Sequence, residues 1–314
     1  MTRGSSYWTV TPAQRSMLIN PYSLVETANA SHRALDGNKS FVVVDDRPEP
    51  VYDGIDETLY FSPDGNHLAY VAVKNTKQLV VVDGHPGPEY DTIGTGDILF
   101  STDGNRFAYA ACKGDSWFVV LDGHEGLKYE EIGKGHPISS PDFNRLAYAA
   151  RKGDNWFVVV DGHEGPKHDR IGKGSFIFSL DGKRFAYKAF KNNKWFVIVD
   201  GQEEKQYTDI GAGTPIFSPD SKRVMYTALD RYSWHIVVDG CVLNAYNIIK
   251  VTNPLFSPDG KYLVCCIKAL DKLFVSVDGQ PGPAYDEIIG PTFTADGLEY
   301  LAVRDGRLLR CRRL

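Results

Sequence analysis

Phe61-Ser62-Pro63-Asp64-Gly65 is a hairpin turn whose recurrence sets the architecture of the whole chain. Its serine, or the threonine that replaces it, falls at Ser62, Ser101, Ser140, Ser179, Ser218, Ser257 and Thr294, giving five steps of 39 residues and a last step of 37. A constant period of that size marks stacked copies of one supersecondary motif. Apolar residues precede each copy, and an apolar segment such as Leu68-Ala69-Tyr70-Val71-Ala72 follows it. Pro63 presets the backbone for the first turn position, Asp64 takes the second, and Gly65 supplies the positive φ that returns the chain into a bulged ladder.

Each repeat divides at its turns into four strands. Strand a ends in the Phe-Ser of the turn, and strand b is the Ala-Tyr segment, as in Phe107-Ala108-Tyr109-Ala110. Lys113-Gly114-Asp115 then leads to strand c, Trp117-Phe118-Val119-Val120-Leu121, which stops at Asp122-Gly123. Strand d is expected at Lys167 to Ile171, after the turn Asp161-Gly162-His163-Glu164-Gly165 and before Gly172-Lys173-Gly174 opens the next repeat. Four short strands in about 40 residues form the pattern of a propeller blade. Strands c such as Trp156-Phe157-Val158-Val159-Val160 are apolar at every position, so both faces of each sheet must be covered. A ring of blades does this, because each sheet lies between two others. The tryptophans at 117, 156, 195 and 234 keep the same step and read as packing between blades.

The predicted fold is all-β: a closed eight-bladed β-propeller of four-stranded antiparallel blades, with seven blades as the alternative. One domain spans residues 1–314. Residues 1–56 form a degenerate first blade plus a closing strand, 57–290 six regular blades, and 291–314 the last. Laying Ser31 to Asp45 beside Ala108 to Asp122 puts Gly37 on Gly114, Phe41 on Phe118 and Asp45 on Asp122, so the first copy is a worn one. The last copy lacks only strand d. Tyr7 to Val10 is expected to fill that place, pairing the chain's two ends and removing a sheet edge.

These residues resemble the WD40-like PD40 repeats found in the propeller of the bacterial Tol-Pal system. The likeness rests on Phe-Ser-Pro-Asp-Gly at 61–65 and 256–260, on close variants elsewhere, and on the Leu/Phe-Ala-Tyr that follows. It covers nearly the whole chain. It implies a rigid, usually non-enzymatic platform for protein contacts, which is an analogy at the level of the fold.

Composition is that of a soluble globular protein, with 42% apolar and 24% charged residues. No apolar run approaches the 18 or so residues of a membrane-spanning helix. Met1 to Val10 has no apolar leader core, which predicts a cytoplasmic protein, or a periplasmic one if a leader was removed. The net charge of −5 disfavours nucleic acid as a partner. Cys112, Cys241, Cys265, Cys266 and Cys311 show no metal-ligand spacing and read as free, mostly buried thiols.

Asp83-Gly84-His85, Asp122-Gly123-His124 and Asp161-Gly162-His163 suggest metal ligands or general bases. Their blade-to-blade separation argues instead for turns in which Asp accepts backbone hydrogen bonds. Gly94/Gly96, Gly133/Gly135, Gly172/Gly174 and Gly211/Gly213 link strand to strand, without the helix a phosphate loop needs. No catalytic residue, metal or cofactor is expected. The competing class is a propeller lyase or hydrolase with its site at the channel mouth. Turns a–b and c–d should make an acidic face, with Asp64, Asp103, Asp181, Asp259, Glu125, Glu164, Glu203 and Glu204. The opposite loops should make a basic one. Its candidate binding residues are Lys134, His136, Arg151, Lys152, Lys173, Lys191, Arg231 and Lys250, facing a protein or peptide partner of acidic character. The arginines near Cys311 suit a guarded edge strand better than a nucleic-acid tail.

Overall fold

The computed structural model describes residues 31–94, 98–133, 137–243, 250–269, 271–295 and 297–313, and divides into two compact units between Pro137 and Ile138. The described residues form eight sheets of antiparallel strands and no helix. None of their elements is therefore a helix long and apolar enough to cross a membrane. The expected closing strand, Tyr7 to Val10, lies outside the described residues.

The N-terminal unit holds three of the sheets. The first runs Ser31–Asp36, Lys39–Val44, Arg47–Pro48, so the worn copy does fold as a repeat. The second contains Gly54–Phe61, Leu68–Lys74, Lys77–Val82 and His85–Pro86 as strands a to d. In the third, Thr92–Ile93 and Leu99–Phe100 both pair with Phe107–Lys113, which pairs in turn with Ser116–Leu121 and then His124–Glu125.

Five sheets make up the C-terminal unit. The fourth is built on strand b, Leu146–Lys152, and strand c, Asn155–Val160; the fifth on Phe185–Lys191 and Lys194–Val199; the sixth on Val224–Asp230 and Ser233–Val238. The seventh runs Lys250–Phe256, Leu263–Ala269, Lys272–Val277, Gln280–Pro281, and the eighth Glu287–Thr294, Gly297–Arg304, Arg307–Arg313.

Strand d starts earlier than the sequence suggests, and of the expected stretch only His168 pairs with strand c of its own sheet, opposite Trp156. His163–Glu164 pairs with Val159 and Val160 of strand c, inside the stretch read as a turn, while Arg170–Ile171 pairs with Phe190 and Ala189 of the next sheet. The c–d turn is therefore only Asp161-Gly162. Asp83, Asp122, Asp161, Asp200, Asp239 and Asp278 have φ of 48–52°, and the glycines after them 73–81°. Two successive positive values are what a two-residue type I′ hairpin requires, which is why this dipeptide recurs. The Gly-x-Gly segments at Gly172/Gly174 and Gly211/Gly213 lie in the middle of strand a rather than at its start. Gly172 donates to the Lys188 carbonyl at 2.8 Å, and a Cβ at Gly172 would lie 2.2 Å from the Lys188 side chain.

Alternation along strand c explains its unbroken apolar run. In the N-terminal unit Leu79 and Val81 pack with Val42 and Tyr52 on one face of the second sheet, while Val80 packs with Tyr109 and Phe118 on the other. In the C-terminal unit Phe196 and Ile198 face the fourth sheet, and Val197 and Val199 face the sixth. Several seams within each unit carry an edge-to-face ring pair, such as Tyr90 on Tyr109 at 6.2 Å and Tyr207 on Tyr226 at 6.3 Å.

Candidate functional site

Three repeated aspartates hold the repeat together. The a–b turn aspartate accepts the hydroxyl of the serine two residues earlier at 2.5–2.6 Å, from Ser62–Asp64 through Ser257–Asp259. The same serine oxygen accepts the backbone N–H five residues on at 2.9–3.0 Å, closing the turn. The serine hydroxyl is the chief cause that holds the Asp103 and Asp259 carboxyls down at about 2. The c–d aspartate accepts the first N–H of strand b at 2.8–2.9 Å in six sheets. A third set at the crossovers, Asp53, Asp91, Asp169 and Asp286, accepts N–H groups of the b–c turns at Asn75, Gly114, Asn192 and Asp305.

The Asp-Gly-His histidines are equally local: His124 and His163 point Nδ1 at the carbonyls of Asp122 and Asp161, 3.0 and 2.9 Å away. Among the described residues no group of His, Cys, Asp and Glu side chains gathers as a metal ion would need. All five cysteines are free, with Cys112, Cys265 and Cys266 buried. Burial pushes the Cys265 thiol up to about 12 and Cys266 to about 11, so neither is a nucleophile at neutral pH.

The predicted basic residues separate into three groups. Arg151 and Lys152 end strand b of the fourth sheet, Lys191 ends that of the fifth, and Arg231 occupies the b–c turn of the sixth. Lys250 begins strand a of the seventh sheet, opposite Lys268, at the corresponding end. Arg151 donates to the Gly153 carbonyl at 2.9 Å, Lys152 pairs with Glu164, and Arg231 is exposed beside Tyr232. Lys173 stands apart, exposed in the mid-strand segment after Gly172, because the Gly-x-Gly stretch belongs inside strand a. Lys134 and His136 lie outside the described residues. Lys188, which the sequence reading passed over, is half-buried against Trp195, and burial lowers its ammonium pKa.

Arginine straps join neighbouring a–b turns in the C-terminal unit. Arg145 donates Nε to Asp161 at 2.9 Å and Nη1 to the Lys183 carbonyl at 2.9 Å, and its guanidinium lies 5.4 Å from the centre of the Phe178 ring. Arg184 repeats this with Asp200 at 2.8 Å, the Lys222 carbonyl at 2.6 Å and Phe217 at 5.1 Å. Arg223 does so with Asp239 at 3.6 Å, the Lys261 carbonyl at 3.0 Å and Phe256 at 5.7 Å. Each strap combines an ion pair, a hydrogen bond to a turn carbonyl and a cation–π contact across a seam.

The seam between the seventh and eighth sheets has no such strap. Tyr262 stands at the arginine position and is half exposed, while Asp278 still accepts the Leu263 N–H at 2.9 Å. The turn that would accept the second bond is shorter here. Phe256 pairs with Leu263 in the seventh sheet and Phe293 with Leu298 in the eighth, so two residues are missing between turn and strand. This deletion is separate from the 37-residue step, which is already complete between Phe256 and Phe293; it brings Leu263 to Leu298 down to 35 residues. In its place is a cavity of about 360 Å³, lined by Ser257, Asp259, Tyr262, Val277, Phe293 and Thr294 among others, a size in the range of small-ligand pockets.

No family model matches the sequence, and no curated protein matches it. Among solved structures the chain is similar to TolB from Acinetobacter baumannii (13% identity, 78% of this chain and 60% of that one, TM-score 0.32). It is similar also to the β-propeller domain of the trilobed protease from Pyrococcus furiosus (13%, 80% and 92%, TM-score 0.33). A third likeness is to prolyl oligopeptidase B from Galerina marginata (14%, 82% and 49%, TM-score 0.39), of whose length this chain spans about half.

Proposed function

We propose that the eight sheets are blades of a closed eight-bladed β-propeller, a single domain serving as a non-enzymatic platform for protein contacts. Its basic end, with Arg151, Lys152, Lys191, Arg231 and Lys250, docks an acidic peptide or protein segment. The observation that carries this reading is the use made of the charges. The repeated aspartates are engaged in their own turns and in the straps, whereas cationic residues recur at the b–c ends of successive sheets of the C-terminal unit. Charges so placed steer an encounter more than they set its lifetime.

The test is fluorescence anisotropy of a labelled hexaglutamate peptide at low ionic strength. Reversal of Arg151, Lys191 and Arg231 to Glu should weaken binding about tenfold or more, a few tenths of a kcal/mol to about 1 kcal/mol for each exposed contact. Lys173→Glu, away from that end, should change little. Unaltered affinity in the triple variant would remove the proposal.

A further inference from the structure

We infer that the cavity between the seventh and eighth sheets binds a guanidinium group, an arginine side chain supplied by an extended peptide. This goes beyond the platform reading and is independent of it, because the cavity lies at the a–b and c–d turn end of the seventh sheet, away from the basic b–c end.

The three preceding seams show what such a site holds. In each, a guanidinium pairs with the c–d aspartate, lies over the phenylalanine that ends the next strand a, and donates to a turn carbonyl. At the seventh sheet the aspartate and the phenylalanine persist as Asp278 and Phe293, but the arginine does not. Asp278 is oriented as its counterparts are, by the strand b N–H, and its outer oxygen has no ion-pair or hydrogen-bond partner among the described residues. Phe293 lines the cavity, as do Ser257, Asp259 and Val277; Asp278 follows Val277 in the chain, beside the lining rather than part of it. Asp259 bonds Ser257 and pairs with Lys261 at 3.1 Å, so it adds negative charge to the rim without being the principal partner.

Charge and shape together select the ligand. A planar fork can bond the carboxylate while stacking on the ring, which an ammonium cannot do as well. The apolar wall of Val264, Val277 and Leu298 suits the methylenes of an arginine stem.

Calorimetry with a blocked Gly-Arg-Gly peptide tests this, with citrulline and lysine peptides as comparisons. The arginine peptide should bind the wild-type chain about tenfold more tightly than the uncharged citrulline peptide, the ratio expected for roughly 1.4 kcal/mol of charge-assisted bonding, with lysine between them. Asp278→Asn should erase most of that preference. Tyr262→Arg, which restores the residue of the other sheets, should fill the slot from within, abolish peptide binding and raise the unfolding midpoint. Tyr262→Phe should bind as wild type does, and serves as the folded control. Equal affinity for citrulline and arginine, no binding by the wild type, or undiminished binding to a folded Tyr262→Arg chain would each overturn the inference. None of these outcomes bears on the hexaglutamate experiment, so the two proposals fail separately.

Discussion

His168 stands at a position that holds tyrosine in the neighbouring repeats, and it takes over the tyrosine's packing. It is buried edge-to-face on Tyr187, with ring centroids 6.0 Å apart, and its Nε2 lies 3.4 Å from the Tyr187 hydroxyl. Burial is the main cause that pulls its pKa down to about 4, and the positive charge of Lys191 adds to it. The folded chain therefore takes up this proton less readily than the unfolded one. Stability from this residue is complete above the unfolded value near 6.5 and is lost as pH falls from there to about 4. The loss should be on the order of 3 kcal/mol. Urea unfolding at pH 7 and pH 4.5 measures it, and His168→Tyr should reduce the difference between the two. At Gly260, φ is +72° and a Cβ would lie 2.7 Å from the Asp220 carboxyl, so Gly260→Ala should cost about 1–3 kcal/mol. Serine is expected to cost less. Ser221 holds the same turn position at φ 63°, and its hydroxyl accepts the Asp181 N–H at 3.0 Å. Thermal unfolding of the two variants side by side decides this.

At the scale of the strand and turn, the a–b hairpins do two things at once: they return the chain, and they interlock with the hairpin of the next sheet. The arginine straps in the C-terminal unit are the strongest part of that contact. Arg184→Ala removes two hydrogen bonds and the contact over Phe217 and should destabilise by about 1–3 kcal/mol. Arg184→Lys should recover little, because a point charge cannot bond Asp200 and the Lys222 carbonyl together. Chemical unfolding of both variants checks the order; a lysine variant as stable as wild type would reduce the strap to simple charge pairing. These arginines stand at 39-residue steps, a run broken at Tyr262, but the sequence reading did not single them out. What the break opens was not readable, because it depends on two residues lost from a turn in the next sheet. Strand d was only partly placed for a related reason. A two-residue strand has no periodicity of its own, and His163–Glu164 is a strand only because Val159 and Val160 lie beside it.

Across the whole molecule, 40 acidic and 35 basic residues nearly balance, so any long-range steering must come from where charges sit rather than from their sum. Binding of the hexaglutamate probe should therefore fall steeply as ionic strength rises toward physiological values, where the screening length is about 8 Å. The sequence by itself determined the repeat, the all-β character and the burial of strand c on both faces, because turn chemistry and apolar patterning are local and each is written seven times. It also assigned the Asp-Gly of the Asp-Gly-His motifs to turns, although the histidine itself begins strand d. Only the tertiary structure decided that Lys173 leaves the group at the b–c ends, that Gly172 leaves room for the Lys188 side chain, and that Asp278 lacks an arginine partner beside a cavity lined by Phe293. Those facts are set by neighbouring strands rather than by neighbouring residues, and pairing between strands is what a single chain, read along its length, does not record.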